Sequence, residues 1–240
     1  MSDLAFIRYQ LQGVDALKFL QGQVTVHVER VPSKAPCYTA ICDLKGRIQF
    51  GLWLRQHNSE HFEIVVTQNQ SEAFAKHIKK YGAFSKMTLS DAVAVYPQFE
   101  AEATVFIEQE TDVAAWQLHA IEQGQAFIDQ STAHEFQPQE LRLHQREGIH
   151  YDKGCYLGQE IVARLWFKAK PKHWLHLVQA QGSAPAMGEK LSSDVQVVNS
   201  IGIADGYKAL VVAKPDALTA FALNVLALPE ALNGDVARPK

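Results

Sequence analysis

Lys153-Gly154-Cys155-Tyr156-Leu157-Gly158-Gln159-Glu160, continued by Ile161-Val162-Ala163-Arg164, is the densest cluster of chemically versatile residues in the chain. Gly154 and Gly158 bracket a thiol, and glycine permits backbone conformations and close approaches closed to other residues. The segment therefore suits a tight loop that presents Cys155 at a fixed angle. Ile161, Val162, Leu165 and Trp166 recur at helical spacing, which places Gly158 near a helix start and Glu160 in its first turn, where the helix dipole favours a carboxylate. A cysteine close to Lys153 and a helix N-terminus can have its thiol pKa lowered, and it would then be nucleophilic, oxidisable or metal-binding. The alternative is a buried cysteine packing as a small hydrophobe. The flanking glycines and polar residues do not read as a core strand, and they favour function.

Upstream, Ala5, Ile7, Tyr9 and Leu11 alternate with Phe6, Arg8 and Gln10, the period of a half-buried strand with Phe6 on its polar side. Asp15 is placed to cap a short helix carrying Leu17 and Leu20, and Gly22 to end it in a left-handed conformation. Apolar Cys37 to Cys42 runs into Asp43-Leu44-Lys45-Gly46, a type I turn by its Asp and Gly. Ile48, Phe50, Leu52 and Leu54 then alternate with Arg47, Gln49 and Arg55, giving a hairpin with one buried face. A strand around Phe62, Ile64 and Val66 precedes a helix from about Ser71 through Phe74, Ile78 and Tyr81, ended by Gly82. Asp112 to Gly124 reads as a second capped helix with Val113, Trp116 and Ala120 on one face, or as a strand ending near Leu118. Antiparallel strands with interspersed helices indicate an α+β layer.

Downstream of about Lys168 the texture changes to short strands, Trp174 to Val178, Val195 to Val198, Ala209 to Val212 and Phe221 to Leu228, separated by Gly, Pro, Asn and Asp. A small β-barrel or sandwich is the natural expectation, with a frayed tail from Asn233. The 240 residues are 47% hydrophobic and 20% charged, enough for a real core. A net charge of -3 gives no general attraction for phosphate backbones or anionic lipid, so strong direct nucleic-acid binding is not expected. No window is apolar enough for a membrane span and the N-terminus lacks a signal-peptide layout, which implies a cytoplasmic protein. Cys37, Cys42 and Cys155 do not suggest a disulfide framework.

The octapeptide resembles the K-G-C-Y-x-G-Q-E signature of the YgfZ family of folate-binding proteins, relatives of the glycine cleavage system T-protein. Phe19-Leu20-Gln21-Gly22-Gln23-Val24-Thr25, Cys42-Asp43-Leu44-Lys45-Gly46-Arg47, Lys80-Tyr81-Gly82-Ala83-Phe84-Ser85-Lys86 and Pro138-Gln139-Glu140 look like family segments in the family order. Dispersed matches of this kind are far more specific than one motif. The resemblance implies an α+β fold, with a ferredoxin-like, aminomethyltransferase-type folate-binding body over residues 1–167 and a small C-terminal β-barrel over 168–240. It implies a functional motif formed by Lys153, Gly154, Cys155, Tyr156, Gly158, Gln159, Glu160 and Arg164. For the ligand, tetrahydrofolate or another folate, it points to Phe6 and Trp116 as stacking rings and to Glu122 as the carboxylate that bonds the pterin. Such roles suit a ring with a flat face and an amidine-like donor edge.

Two departures from the family pattern stand out. The stretch between Phe84 and Trp116 is short, which implies a more open pocket. Gln49 and Phe50 occupy the region where T-protein enzymes carry a paired aspartate, so catalysis of that type is expected to be impaired. Cys37 and Cys42 lack the further cysteines of a cluster-binding loop, and no metal site is expected. The resemblance thus favours a non-enzymatic, folate-dependent factor that supports iron-sulfur clients such as tRNA methylthiotransferases, with a transient iron-sulfur contact or a mixed disulfide at Cys155. A tetrahydrofolate-dependent aminomethyl or one-carbon transferase is the alternative. A protein- or RNA-binding module is a third.

Overall fold

The computed structural model describes residues 4–101, 103–220 and 223–238. The chain opens with β1 (Phe6–Gln12) and α1 (Ala16–Gln21), then β2 (Cys37–Cys42), β3 (Ile48–Asn58), β4 (His61–Thr67) and α2 (Ser71–Tyr81). β5 (Thr88–Leu89), β6 (Val93–Glu100), β7 (Ala103–Ile107) and α3 (Val113–Glu122) follow. These strands form one seven-stranded antiparallel sheet in the order β2-β3-β4-β1-β6-β7, with β5 also on β1. The segment that reads as short between Phe84 and Trp116 supplies β6 and β7, which extend the sheet beyond β1.

The sheet is buried on both faces around β1, β3 and β4. Tyr9, Leu11, Leu52, Ile64 and Val66 join Phe74 and Ile78 of α2 in one core. Phe6, Trp53 and Val65 face the other way, into a second core with Phe106 and with Trp116 and Ala120 of α3. The expectation of a half-buried β1 and a one-sided hairpin is therefore corrected. α3 packs on Phe6 at the start of the face that Arg8 and Gln10 make look polar, while those two stay half-buried further along, Arg8 pairing with Glu108. Asp112 caps α3 by accepting from the Ala115 N–H at 2.9 Å, as its position predicts. Asp15 behaves differently: its carboxylate accepts from the Lys86 N–H at 2.7 Å and makes no cap bond in α1. Gly22 ends α1 with φ of -84°, on the right-handed side, so the left-handed stop is also corrected.

After α4 (Gln159–Lys168), β8 (Trp174–Ala180), β9 (Lys190–Ser192), β10 (Val195–Ile203), β11 (Gly206–Ala213), α5 (Pro215–Ala220) and β12 (Asn224–Leu226) build a five-stranded antiparallel sheet. Its order is β12-β8-β11-β10-β9, with no pair joining β12 to β9 among the described residues. Phe221 and Ala222, read as part of the last strand, lie outside the described residues. A continuous core runs between the two sheets, in which Ala40 and Ile48 of the first meet Leu175, Leu177, Leu210 and Val212 of the second across Phe136 and Ile149. From Asn233 to Arg238 the tail is docked, against expectation. Val236 is buried, and the Gly234 carbonyl accepts from Arg142 Nη1 at 2.9 Å.

Candidate functional site

Gly158 stands at the N-terminal cap of α4 with φ of +78°, in the left-handed region that glycine alone enters freely. A Cβ there would lie 2.2 Å from the Asp43 carbonyl oxygen. Gly46, at φ +71°, closes the Asp43–Gly46 turn, and a Cβ on it would meet the Ile161 side chain at 2.9 Å. The turn and the start of α4 thus pack backbone to backbone, which requires a glycine on each side. Gly154 differs, because nothing lies within 4 Å of where its Cβ would be.

The rest of the octapeptide divides between burial and exposure. Lys153 is buried, and its ammonium donates to the Gln21 carbonyl at 2.8 Å and to the Val24 carbonyl, with the Tyr156 ring 4.7 Å away. Burial pulls its pKa down to about 7. Lys153 therefore ties the loop to the turn after α1, a role not foreseen when it was read as a charge beside the thiol. Tyr156 is buried, and desolvation pushes its phenol up. Gln159 is half-buried, whereas Gly154, Cys155, Glu160 and Arg164 are exposed. Cys155 is the exposed thiol of the three: burial pushes Cys37 up to about 12 and raises Cys42 as well.

Other segments converge on this loop. The Leu157 N–H donates to the Gly22 carbonyl and the His150 N–H to the Thr25 carbonyl. Thr25 Oγ1 donates to the Gly148 carbonyl at 2.7 Å and pairs with Thr39 Oγ1. Gln139 Nε2 donates to the Val162 carbonyl inside α4 at 2.7 Å. Burial works against the charge of Asp43, but His134 at 2.9 Å and the Arg47 and Lys45 N–H groups outweigh it and keep the carboxylate below its usual range. Three of the dispersed segments, 19–25, 42–47 and 138–140, thereby brace the loop and helix start that flank one exposed thiol. Thr39 and Tyr38, which accepts from the Ile128 N–H at 2.8 Å, carry no sequence signal. They read as ordinary strand residues.

The residues expected to hold a pterin are placed otherwise. Phe6 and Trp116 do meet, with ring centroids 5.2 Å apart. They are only 1% and 3% exposed, and Trp53, Phe106 and Phe127 cover their remaining faces. Neither offers a free stacking face. Glu122 is apart from them in role, paired with Lys208 Nζ at 2.6 Å. A cleft of about 1220 Å³ opens beside this aromatic layer, between Ala5, Thr67, Asn69, Ala114 and Gln117 on one side and Met187 and Ile201 on the other. Among the described residues, no group of three or more His, Cys, Asp or Glu side chains is placed to hold a metal, and no helix is long and apolar enough to cross a membrane.

No family model matches the chain. It is 30% identical to an uncharacterized protein of Haemophilus influenzae, over 81% of this chain and 78% of that protein. It is 28% identical to the tRNA-modifying protein YgfZ of Serratia proteamaculans, over 82% of this chain and 78% of that one, and 26% identical to its namesake in Aliivibrio fischeri. The crystal structure of glycine cleavage system aminomethyltransferase T from Bartonella henselae superimposes with a TM-score of 0.59 over 87% of this chain at 10% identity, and so shares its fold. With the sequence relatives covering most of its length and three of its four dispersed motif segments gathered around a single loop, the chain belongs to the YgfZ family.

Proposed function

We propose that the protein is a cytoplasmic, folate-binding accessory factor that supports iron-sulfur cluster assembly or repair in client enzymes such as tRNA methylthiotransferases, acting through the Lys153–Glu160 loop. The observation that carries this is the bracing of one exposed thiol, Cys155, by segments 19–25, 42–47 and 138–140. Buried Lys153 and Tyr156 and the close-packed Gly158 fix the loop, while Cys155, Glu160 and Arg164 face outward toward a client. The thiol holds an iron or cluster fragment transiently, or forms a mixed disulfide by thiolate attack on a client disulfide, displacing the other sulfur as a thiolate.

The bound tetrahydrofolate, or another folate, belongs in the cleft beside the aromatic layer, whose floor residues Ala5, Ala114 and Gln117 neighbour Phe6 and Trp116 in the chain. Phe6 and Trp116 then act as the wall's support and not as its surface. Glu122 takes the pterin edge only after Lys208 releases it. In this reading residues 1–167 are the folate-binding body and 168–240 the C-terminal β-barrel, a boundary one residue before α4 ends. Calorimetric titration with tetrahydrofolate under anaerobic, reducing conditions tests the pocket, and the expected result is saturable one-to-one binding. Complementation of a strain defective in tRNA methylthiolation tests the loop. Cys155→Ala is expected to fail there while still binding folate, and full complementation by it would remove the thiol from the function.

The fold shared with an aminomethyltransferase favours one-carbon transfer as a second reading. Phe50, where the T-protein pattern has a carboxylate, is 2% exposed and packs on Phe74 and His77. A direct assay of formaldehyde or aminomethyl transfer to tetrahydrofolate is expected to show no turnover.

A further inference from the structure

We propose that the end of α4 and the segment after it form an RNA-docking surface. The 28 residues from Ile161 to Gly188 hold Arg164, Lys168, Lys170 and Lys172 and no carboxylate, in a chain whose 26 Asp and Glu outnumber its 23 Lys and Arg. All four cations are exposed. Among the described residues none of them lies within ion-pair distance of an acid, whereas Arg30, Lys76, Lys190, Lys208 and Lys214 all do. Glu160, one helical turn before Arg164 and itself exposed, does not neutralise it either.

Flat rings are interleaved with these charges. Phe167 is 50% exposed, and the Arg238 guanidinium lies 4.8 Å from its centroid. Behind it, Tyr151 and Trp166 stack at 4.3 Å with 6° between their planes. Unpaired cations beside one exposed ring, Phe167, backed by the half-buried Tyr151–Trp166 stack, suit a strand of phosphates with a base to stack. A purely acidic protein surface would meet the cations and leave the rings unused.

The net charge of -3 does not oppose this, because at physiological salt a charge more than about 8 Å away is largely screened and the local cluster sets the potential. The expectation that strong direct nucleic-acid binding is absent rests on the average charge, which does not register this segregation. α4 is roughly 15 Å long, so RNA held at its C-terminal end would lie one helix length from the Cys155 loop. This goes beyond the accessory role proposed above, in which tRNA is met only through a client.

The test is fluorescence anisotropy of labelled bulk tRNA with the full chain between 50 and 200 mM salt. Saturable binding is expected, weakening with a log–log salt slope of roughly -3 for four phosphate contacts. The triple variant Lys168→Glu, Lys170→Glu, Lys172→Glu should lose tenfold or more, and Phe167→Ala roughly tenfold through lost stacking. Lys79→Glu with Lys80→Glu, on exposed positions of α2, should change nothing. Thermal melts and tetrahydrofolate titration of each variant separate a lost surface from a lost fold or pocket. The proposal is overturned by wild-type protein that does not bind at 50 mM salt, or by equal binding of the triple variant. It is also overturned if polyglutamate or phosphatidylserine vesicles displace the RNA at lower concentration, which would assign the surface to an acidic protein or a membrane.

Discussion

In the Lys153–Arg164 segment buried, half-buried and exposed residues are interspersed, so that Lys153, Tyr156 and Val162 anchor while Cys155, Glu160 and Arg164 stay accessible. Around Phe6 and Trp116 every ring is enclosed by another ring. Both regions hold residue types suited to ligands, yet only the first keeps any of them free to meet one. Enclosed aromatic pairs add about 0.5–1.5 kcal/mol each beyond their buried area, so a cluster of them is adequately explained as core. A functional segment shows itself by using some side chains to fix the backbone and leaving others unused.

The contrast can be broken at the aromatic cluster with the largest effect. Trp116→Ala removes a ring 3% exposed and its Nε1 bond to Thr104 Oγ1, and is expected to lower stability by about 3–5 kcal/mol in chemical denaturation. Unchanged stability with lost folate affinity would instead make Trp116 a ligand surface and erase the distinction. Next is Gly158→Ala, which forces a left-handed alanine against the Asp43 carbonyl and should cost about 3 kcal/mol, whereas Gly154→Ala, in open space, should stay within about 0.5 kcal/mol. A similar cost at both glycines would mean that the loop is packed throughout.

Lys153→Met sharpens the comparison through pH. Leaving the Gln21 and Val24 carbonyls without their donor should cost about 1–3 kcal/mol. Because burial holds the folded Lys153 at about 7, below its unfolded value, the unfolded chain binds more protons between pH 7 and the ordinary lysine range of about 10. Wild-type stability from this group therefore rises with pH across that window, and the rise should vanish in the variant when Tm is followed against pH. Parallel curves would mean that Lys153 keeps its ordinary affinity for the proton. The smallest expected effect is Cys155→Ala, an exposed substitution that should stay within about 0.5 kcal/mol, so that any functional loss reports chemistry and not folding.

Much of the architecture was legible because its signals are local. Gly158 at the start of α4 with Glu160 in the first turn, Asp112 capping α3, the Asp43–Gly46 turn and the strands β3, β4, β8, β10 and β11 all follow from spacing and turn chemistry within a few residues. What was missed depends on partners distant in sequence. Phe6 looked solvent-facing because Arg8 and Gln10 share its side of β1, yet Trp53, Phe106 and, from α3 more than a hundred residues later, Trp116 cover it. Asp15 was read as a cap by position, yet it serves the Lys86 N–H across 71 residues.

The sequence by itself determined the family, the thiol loop, the helix that follows it and the acidic average charge, since each is a pattern of residue types along the chain. Tertiary structure alone decided which of those residues are spent on holding the fold. Lys153 reaches carbonyls 129 and 132 positions away, Glu122 is drawn to Lys208, and among the described residues Arg164, Lys168, Lys170 and Lys172 find no carboxylate in space to pair with. Burial and pairing are properties of neighbours in space, and a side chain's chemistry becomes available only once those neighbours are known.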